Sequence, residues 1–237
     1  YCEARYGGYP DAMEEAWKLF RKTAYSSLYS YPRFTWQTVI PDQRRISKID
    51  LSDDYLQAIR LYASCADELK SSELYRNDLI EFVSYYVAAK AENFYKQALK
   101  DDLENRVLAA QRNLQQTVDL LMDVDRLLAS HPLYRLEEWV ELARNSGTTL
   151  QEKDAYEANA KRLITSWGGI QEDYAARFWS GLIKDYYIPR IQLYFTKDRD
   201  KIREWEEQWI TSPWSNSTTP FDDPVKAALN LIEKTNK

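Results

Sequence analysis

A single histidine, His131, in a chain of 237 residues argues against an imidazole-rich metal centre and leaves no basis for a Ser-His-Asp arrangement. It sits in "SHPL", at the expected end of a helix, where an imidazole favours the dipole and caps carbonyls. Two cysteines, Cys2 and Cys65, are too few for a disulfide framework and form no CxxC pair, so free thiols are expected, with one bridge between them as the alternative. There is no block of Lys and Arg. The net charge is −5, whereas phosphate neutralisation needs a clustered basic surface, which argues against a nucleic-acid partner. Mixed runs such as "KDRDKIREWEEQ" read as a solvated helical face. No apolar run approaches membrane-spanning length, and the opening "YCEARYGGYP" has neither an initiator Met nor a signal-peptide pattern. The expectation is a segment of a longer polypeptide whose compartment signal, if any, lies upstream. Walker loops, a GxGxxG turn and a nucleophile elbow are all missing, so no cofactor and no metal are implied.

Glycine and proline are also scarce, at six and eight residues, and the apolar positions recur at three- and four-residue spacing. The expected fold class is all-α, a multi-helix bundle or array of about eight helices in one domain over residues 1–237. A first helix opens at Asp11 with Glu14 as a capping-box pair, lines Met13, Ala16, Trp17, Phe20 and Ala24 along one face, and stops by Pro32. Ser52 caps a second, with Leu56, Ile59, Ala63, Ala66 and Leu69 inside. A third runs from about Glu73 to Lys100 with Leu79, Phe82, Val83 and Tyr86 inside. From about Leu103 to Ala129, Val107, Ala110, Leu114, Val118, Leu121, Val124 and Leu128 approach a heptad seam, as for a central helix of the bundle. Helices follow around Leu136 to Arg144 and Glu152 to Trp167, the latter ended by Gly168 and Gly169. Another spans Glu172 to about Thr196 with a kink at Pro189, and a terminal one spans Val225 to Lys234.

What is abundant is aromatic: eight tryptophans and eighteen tyrosines. Trp17, Trp139, Trp167 and Trp179 fall on apolar helical stripes and are expected in the core. Trp36 and Trp214 lie in irregular, proline-bounded segments, where an indole could stack on a sugar ring or dock on a partner. Tyr31 to Ser52 is the longest irregular stretch, readable as a binding segment or as an arm packed on the bundle. Carboxylates are too numerous for spacing alone to nominate a catalytic pair. The sequon at Asn216 matters only in a eukaryotic secretory setting.

Three segments in order resemble the C-terminal helical domain of α-N-acetylglucosaminidases, glycoside hydrolase family 89. They are "ARYGGYPDAMEEAWKLFRKTAY" (residues 4–25), "YEANAKRLITSWG" (156–168) and "DYAARFWSGLIKDYYIPRIQLYF" (173–195), joined by a weaker likeness from Tyr75 to Arg144. The resemblance implies a parent enzyme whose central (β/α)-barrel carries two catalytic glutamates, one nucleophile and one acid/base, for retaining hydrolysis of terminal α-linked N-acetylglucosamine from glycans. Neither glutamate has a counterpart here, so no catalytic residue is expected in this chain and the chain alone should be inactive. Its implied partners are the barrel of the same polypeptide and, through a shared cleft, the glycan. The parent is expected to be exported, whether periplasmic, extracellular or lysosomal.

The family takes an aromatic cleft wall from the loop after the first helix, which makes Trp36, Phe34 and Arg33 the substrate-cleft candidates. This chain departs from the family there, with Tyr31-Pro32-Arg33 in place of Arg-Pro-Ser, and Ile191 replaces a Trp after Pro-Arg, which weakens a site role for Arg190. Within residues 166–190, apolar groups on two stripes suggest a helix sandwiched between layers. The alternative is a stand-alone helical module that binds carbohydrate or protein. An excised domain should expose an apolar patch where its barrel docked, and a stand-alone module should not.

Overall fold

The computed structural model describes residues 1–25, 34–38, 53–167, 173, 176–196, 198, 200–215 and 217–235. The expected roles of Pro32, Arg33, Ser52, Gly168, Gly169 and Asn216, and most of the 31–52 segment, lie outside the described residues. Within them the chain is an all-α array with no strand, only an isolated parallel bridge between Arg135 and Ser180.

Two helices lie within residues 1–25: α1 (Cys2–Tyr6) and α2 (Asp11–Lys22). Helix α1 was not legible as a helix. It is a single turn closed by Gly7 at φ 80, a conformation that only glycine adopts cheaply, whose N–H reaches Glu3 O. In α2 Met13, Ala16 and Phe20 are buried as expected, but Asp11 is the first helical residue and caps nothing, and Glu14 turns to Lys18. Ala24 lies beyond the helix end and is exposed. The second expected helix is two, α3 (Asp53–Ser64) and α4 (Ala66–Leu69), separated at buried Cys65. Cys2 and Cys65 are both free and buried.

Helix α5 (Glu73–Leu103) is the central element, and the heptad-like α6 (Val107–Leu128) packs beside it. The sequence places α6 at the centre, and the burial pattern corrects this. In α5 consecutive residues from Phe82 to Ser84 and from Tyr86 to Ala89 are buried, so every side of the helix is covered, by α1, α3, α6 and α11 (Pro224–Thr235). Helix α6 buries one side only, leaving Val107 exposed. Asn105, at φ 58, turns the corner between the two.

Helices α7 (Leu136–Asn145) and α8 (Leu150–Leu163) form a second hairpin, and α8 opens on a capping box. Thr149 Oγ1 accepts the Glu152 N–H, and the Glu152 carboxylate accepts the Thr149 N–H. The expected long helix from Glu172 does not form over 176–181. It starts at Leu182, passes through a π-helical turn (Ile183–Tyr187), and continues as α9 (Ile188–Phe195). Pro189 explains the widened turn, since its ring lacks an N–H and would crowd the carbonyl four residues back. From Leu182 to Ile191 the buried groups do lie on both sides, as for a sandwiched helix. Helix α10 (Lys201–Thr211) packs on α8 and α9.

Buried carboxylates on the helices hold the non-helical segments in place. Asp78 on α5 accepts from Arg5 and from Tyr6 Oη, pinning α1. Asp101 accepts from Arg106 and Asn113 at the α5–α6 corner. Asp125 on α6, fully buried, accepts the N–H groups of Gly181 and Lys184 and the hydroxyls of Ser180 and Thr218. Burial pushes its pKa up, and those hydrogen bonds act in the opposite direction.

Candidate functional site: a junction of loops on Arg190

Long irregular segments carry function more often than the elements they join, because a rigid scaffold can aim them. In this molecule several meet at one side chain. Arg190 is fully buried on α9. Its Nη1 donates to Asp173 Oδ1 at 2.9 Å, Glu206 Oε1 at 2.9 Å and Tyr186 Oη at 3.1 Å, and its Nη2 donates to the Gln37 carbonyl at 2.6 Å. Tyr186 Oη in turn donates to Glu206 Oε1 at 2.6 Å. Burial raises the Tyr186 pKa far above the ordinary phenol value, so the hydroxyl stays a neutral donor. The guanidinium charge is consumed inside the molecule. Arg190 is therefore a positioning residue: it holds the 34–37 turn, Asp173 and α10 in one arrangement.

The 34–37 turn, a single 3₁₀ turn (Thr35–Gln37), is held from its other side by α5. The Thr35 N–H and hydroxyl both donate to the Glu92 carboxylate, which is buried and also meets Lys96. Gln37 Oε1 accepts the Phe34 N–H, and Thr38 Oγ1 donates back to Thr35 O. Phe34 and Trp36 stack with ring centroids 5.0 Å apart and planes 12° apart, and Tyr187 meets Trp36 edge-on at 5.5 Å. Phe178 closes over both rings.

This placement corrects the expectation that Trp36 or Phe34 offers a ring face to a sugar. Trp36 is 0 % exposed and Phe34 1 %. Two adjacent large aromatics on a short turn gain more by burying area against Tyr187 and Phe178 than by standing in water. Arg33, the third candidate, precedes this anchored turn in the chain and lies outside the described residues.

Trp167 differs from its expectation in the opposite sense. It sits past the end of α8 at φ 53 and is 38 % exposed, whereas Trp17, Trp139 and Trp179 pack against the core as expected. Its backbone N–H returns to Arg162 O, and three hydrogen bonds connect its neighbourhood to the junction: Thr165 Oγ1 to Lys161 O, Asp173 N to Thr165 O, and Arg190 to Asp173. Arg177, also exposed, offers its carbonyl to Tyr187 Oη and to Gln37 Nε2. The junction thus brings the exposed Trp167 and Arg177 onto the framework that fixes the turn after Arg33. The sequence did contain a signal for Arg190: an arginine flanked by Tyr186, Tyr187 and Ile191 must find buried carboxylates. What could not be read is which acids these are, since Asp173 and Glu206 look like any other acids on mixed-charge stretches.

His131 lies away from this junction, buried on Tyr134, with Nδ1 accepting the Leu133 N–H at 3.1 Å. Among the described residues no group of three or more His, Cys, Asp or Glu is placed to hold a metal ion, and no helix is long and apolar enough to cross a membrane.

Comparison with known proteins bears out the family resemblance. Human alpha-N-acetylglucosaminidase is 28% identical over 220 residues, covering 86% of this chain and 28% of its own length. Solved structures of a family 89 glycoside hydrolase from Clostridium perfringens, one in complex with 2-acetamido-1,2-dideoxynojirmycin and another with PUGNAc, superpose with a TM-score of 0.84 at 22% identity. Each match covers 98% of this chain and 30% of the bacterial one. The chain therefore spans less than a third of the relatives it matches. The family model described as the alpha-N-acetylglucosaminidase (NAGLU) C-terminal domain matches residues 1–234, and the chain belongs to that family.

Proposed function

We propose that this chain is a single helical domain that packs on the catalytic (β/α)-barrel of a retaining α-N-acetylglucosaminidase and supplies one wall of its cleft. The observation that carries this reading is the family match over residues 1–234 in relatives that are more than three times longer. The catalytic glutamates belong to the barrel, and the substrate is a glycan ending in α-linked N-acetylglucosamine. A third Clostridium perfringens structure of the family holds GlcNAc-alpha-1,4-galactose as its substrate. The parent enzyme is exported.

In this reading the Arg190 junction is the part that faces the cleft. Arg33 and Trp167 touch the glycan, while Phe34 and Trp36 hold the turn from behind. Exposed Leu103, Val107 and Leu108, gathered at the α5–α6 corner, support a docked domain over a stand-alone binding module.

The test has two arms. The 237-residue chain should show no turnover of an aryl α-N-acetylglucosaminide, and robust activity would overturn the assignment of catalysis to another domain. In the complete polypeptide, Arg33→Ala and Trp167→Ala should raise KM at least several-fold with the fold intact. Unchanged kinetics in both would remove the junction from the cleft.

A further inference from the structure

A groove of about 730 Å³ opens between α7, the start of α8 and residues Trp214, Ser215 and Ser217, and it shares no residue with the Arg190 junction. Val140, Leu150 and Trp214 give it apolar surface, and Glu141, Asn145 and Lys153 give it polar groups. Trp214 is one of the two tryptophans whose irregular, proline-bounded setting stands out in the sequence.

The groove is built around that tryptophan. The Trp214 N–H donates to the Glu157 carboxylate, and its indole Nε1 donates to Asp185 Oδ2 at 3.1 Å. Gly181, at φ +83, leaves the space the ring needs: a Cβ there would stand 3.2 Å from Trp214 Cζ2. Glu157 is almost wholly buried and also accepts from Lys161 at 3.1 Å and Arg144 at 2.6 Å. Burying carboxylates is costly, and here Glu157 anchors the Trp214 backbone while Asp185 holds its indole, partly buried against the core at the edge of an open groove. A side chain held this way loses little entropy when a ligand stacks on it.

The charges identify the ligand class. Arg144 lines the groove but is spent on Glu157 and Asp154, and Glu137 is paired with Arg135. Glu141 and Lys153 then nearly balance, so neither a polyanion nor a cation is favoured. An indole ringed by an amide, hydroxyls from Ser215 and Ser217, and one charge of each sign suits a neutral, hydroxyl-rich ring system. The volume lies in the usual range of ligand sites and exceeds one sugar ring.

We propose that this groove binds a neutral oligosaccharide, with Trp214 stacking on a sugar ring, as a glycan-holding subsite. The choice of glycan rests on the family reading, whereas the groove and its fixed tryptophan do not.

The test titrates the isotope-labelled chain with GlcNAc-α-1,4-galactose, with chitotriose and with a heparin-derived oligosaccharide while following the Trp214 indole N–H and the Asn145 side-chain amide by NMR. Saturable shifts at both signals with a neutral glycan are expected. Asn145→Ala, on the exposed end of α7, should weaken binding several-fold with no change in the unfolding midpoint. Trp214→Phe, which keeps the backbone bond to Glu157, should abolish most of it. No shift at millimolar glycan overturns the proposal, as does a response to heparin alone. Stronger protection of the Asn145 and Lys153 amides from exchange in the glycan-free complete polypeptide than in the 237-residue chain would mean that another domain covers the groove, and would also overturn it. An active complete enzyme with a silent groove would sink this inference and leave the cleft reading standing.

Discussion

Replacing Arg190 with methionine would keep most of the side chain's volume and strand Asp173 and Glu206 in a buried site. Removing one partner from such a set costs about 3–5 kcal/mol, and urea unfolding of Arg190→Met should show a loss of that order. Arg190→Lys should recover only part of it, because an ammonium cannot span Asp173, Glu206 and the Gln37 carbonyl as a planar fork does. His131 makes a second prediction. Burial lowers its pKa below the ordinary value, and Asp78 opposes this only in part. Above about pH 6.5 both folded and unfolded chains hold it neutral; as the pH falls through that value the unfolded chain takes up a proton that the folded chain refuses. Stability should therefore drop toward acid, and His131→Asn should flatten that portion of the denaturation profile. Because the chain has one histidine, the difference between the two profiles isolates it.

Among elements, the loops rather than the helices are the sensitive parts. Thr149→Ala removes the side-chain half of the α8 capping box and should cost about 1 kcal/mol by thermal or urea unfolding. The helices were mostly legible in the sequence because periodicity is a local signal: Leu79, Phe82, Val83 and Tyr86 mark α5, and Ala110, Leu121, Val124 and Leu128 mark α6, whichever neighbours cover them. Their ranking was not legible, since a helix apolar on all sides shows no stripe, and α5 rather than α6 proved central. The 176–181 stretch reads as helix by spacing, yet tertiary bonds from Asp125 to Gly181 and Lys184 outweigh that propensity. The same limit hid the candidate site. The setting of Trp36 left a binding and a packed reading open, and Trp167 was expected in the core but is exposed, because partners distant in sequence, Tyr187 and Phe178 for the one and the Asp173–Arg190 pair for the other, decide how the segment lies.

At the scale of the whole molecule, the α5–α6 corner is an exposed apolar feature among the described residues, with Leu103 77 % and Leu108 73 % exposed. If this corner docks on another domain, the chain alone should self-associate at high concentration, and the double variant Leu103→Lys, Leu108→Lys should sediment as a monomer with an unchanged helical spectrum. Failure of the double variant to alter sedimentation would place the docking face elsewhere. The bond from Arg190 to the Gln37 carbonyl also fixes an order of events, because it joins residues 153 positions apart. During synthesis the α5–α6 hairpin can form from neighbouring residues soon after it leaves the ribosome, whereas Phe34 and Trp36 emerge earlier and wait in water for Tyr187 and Arg190. A turn made early in synthesis is thus among the last to settle. How fast the ribosome reaches Glu206, rather than how stable the finished domain is, sets how long that aromatic pair stays open to wrong partners.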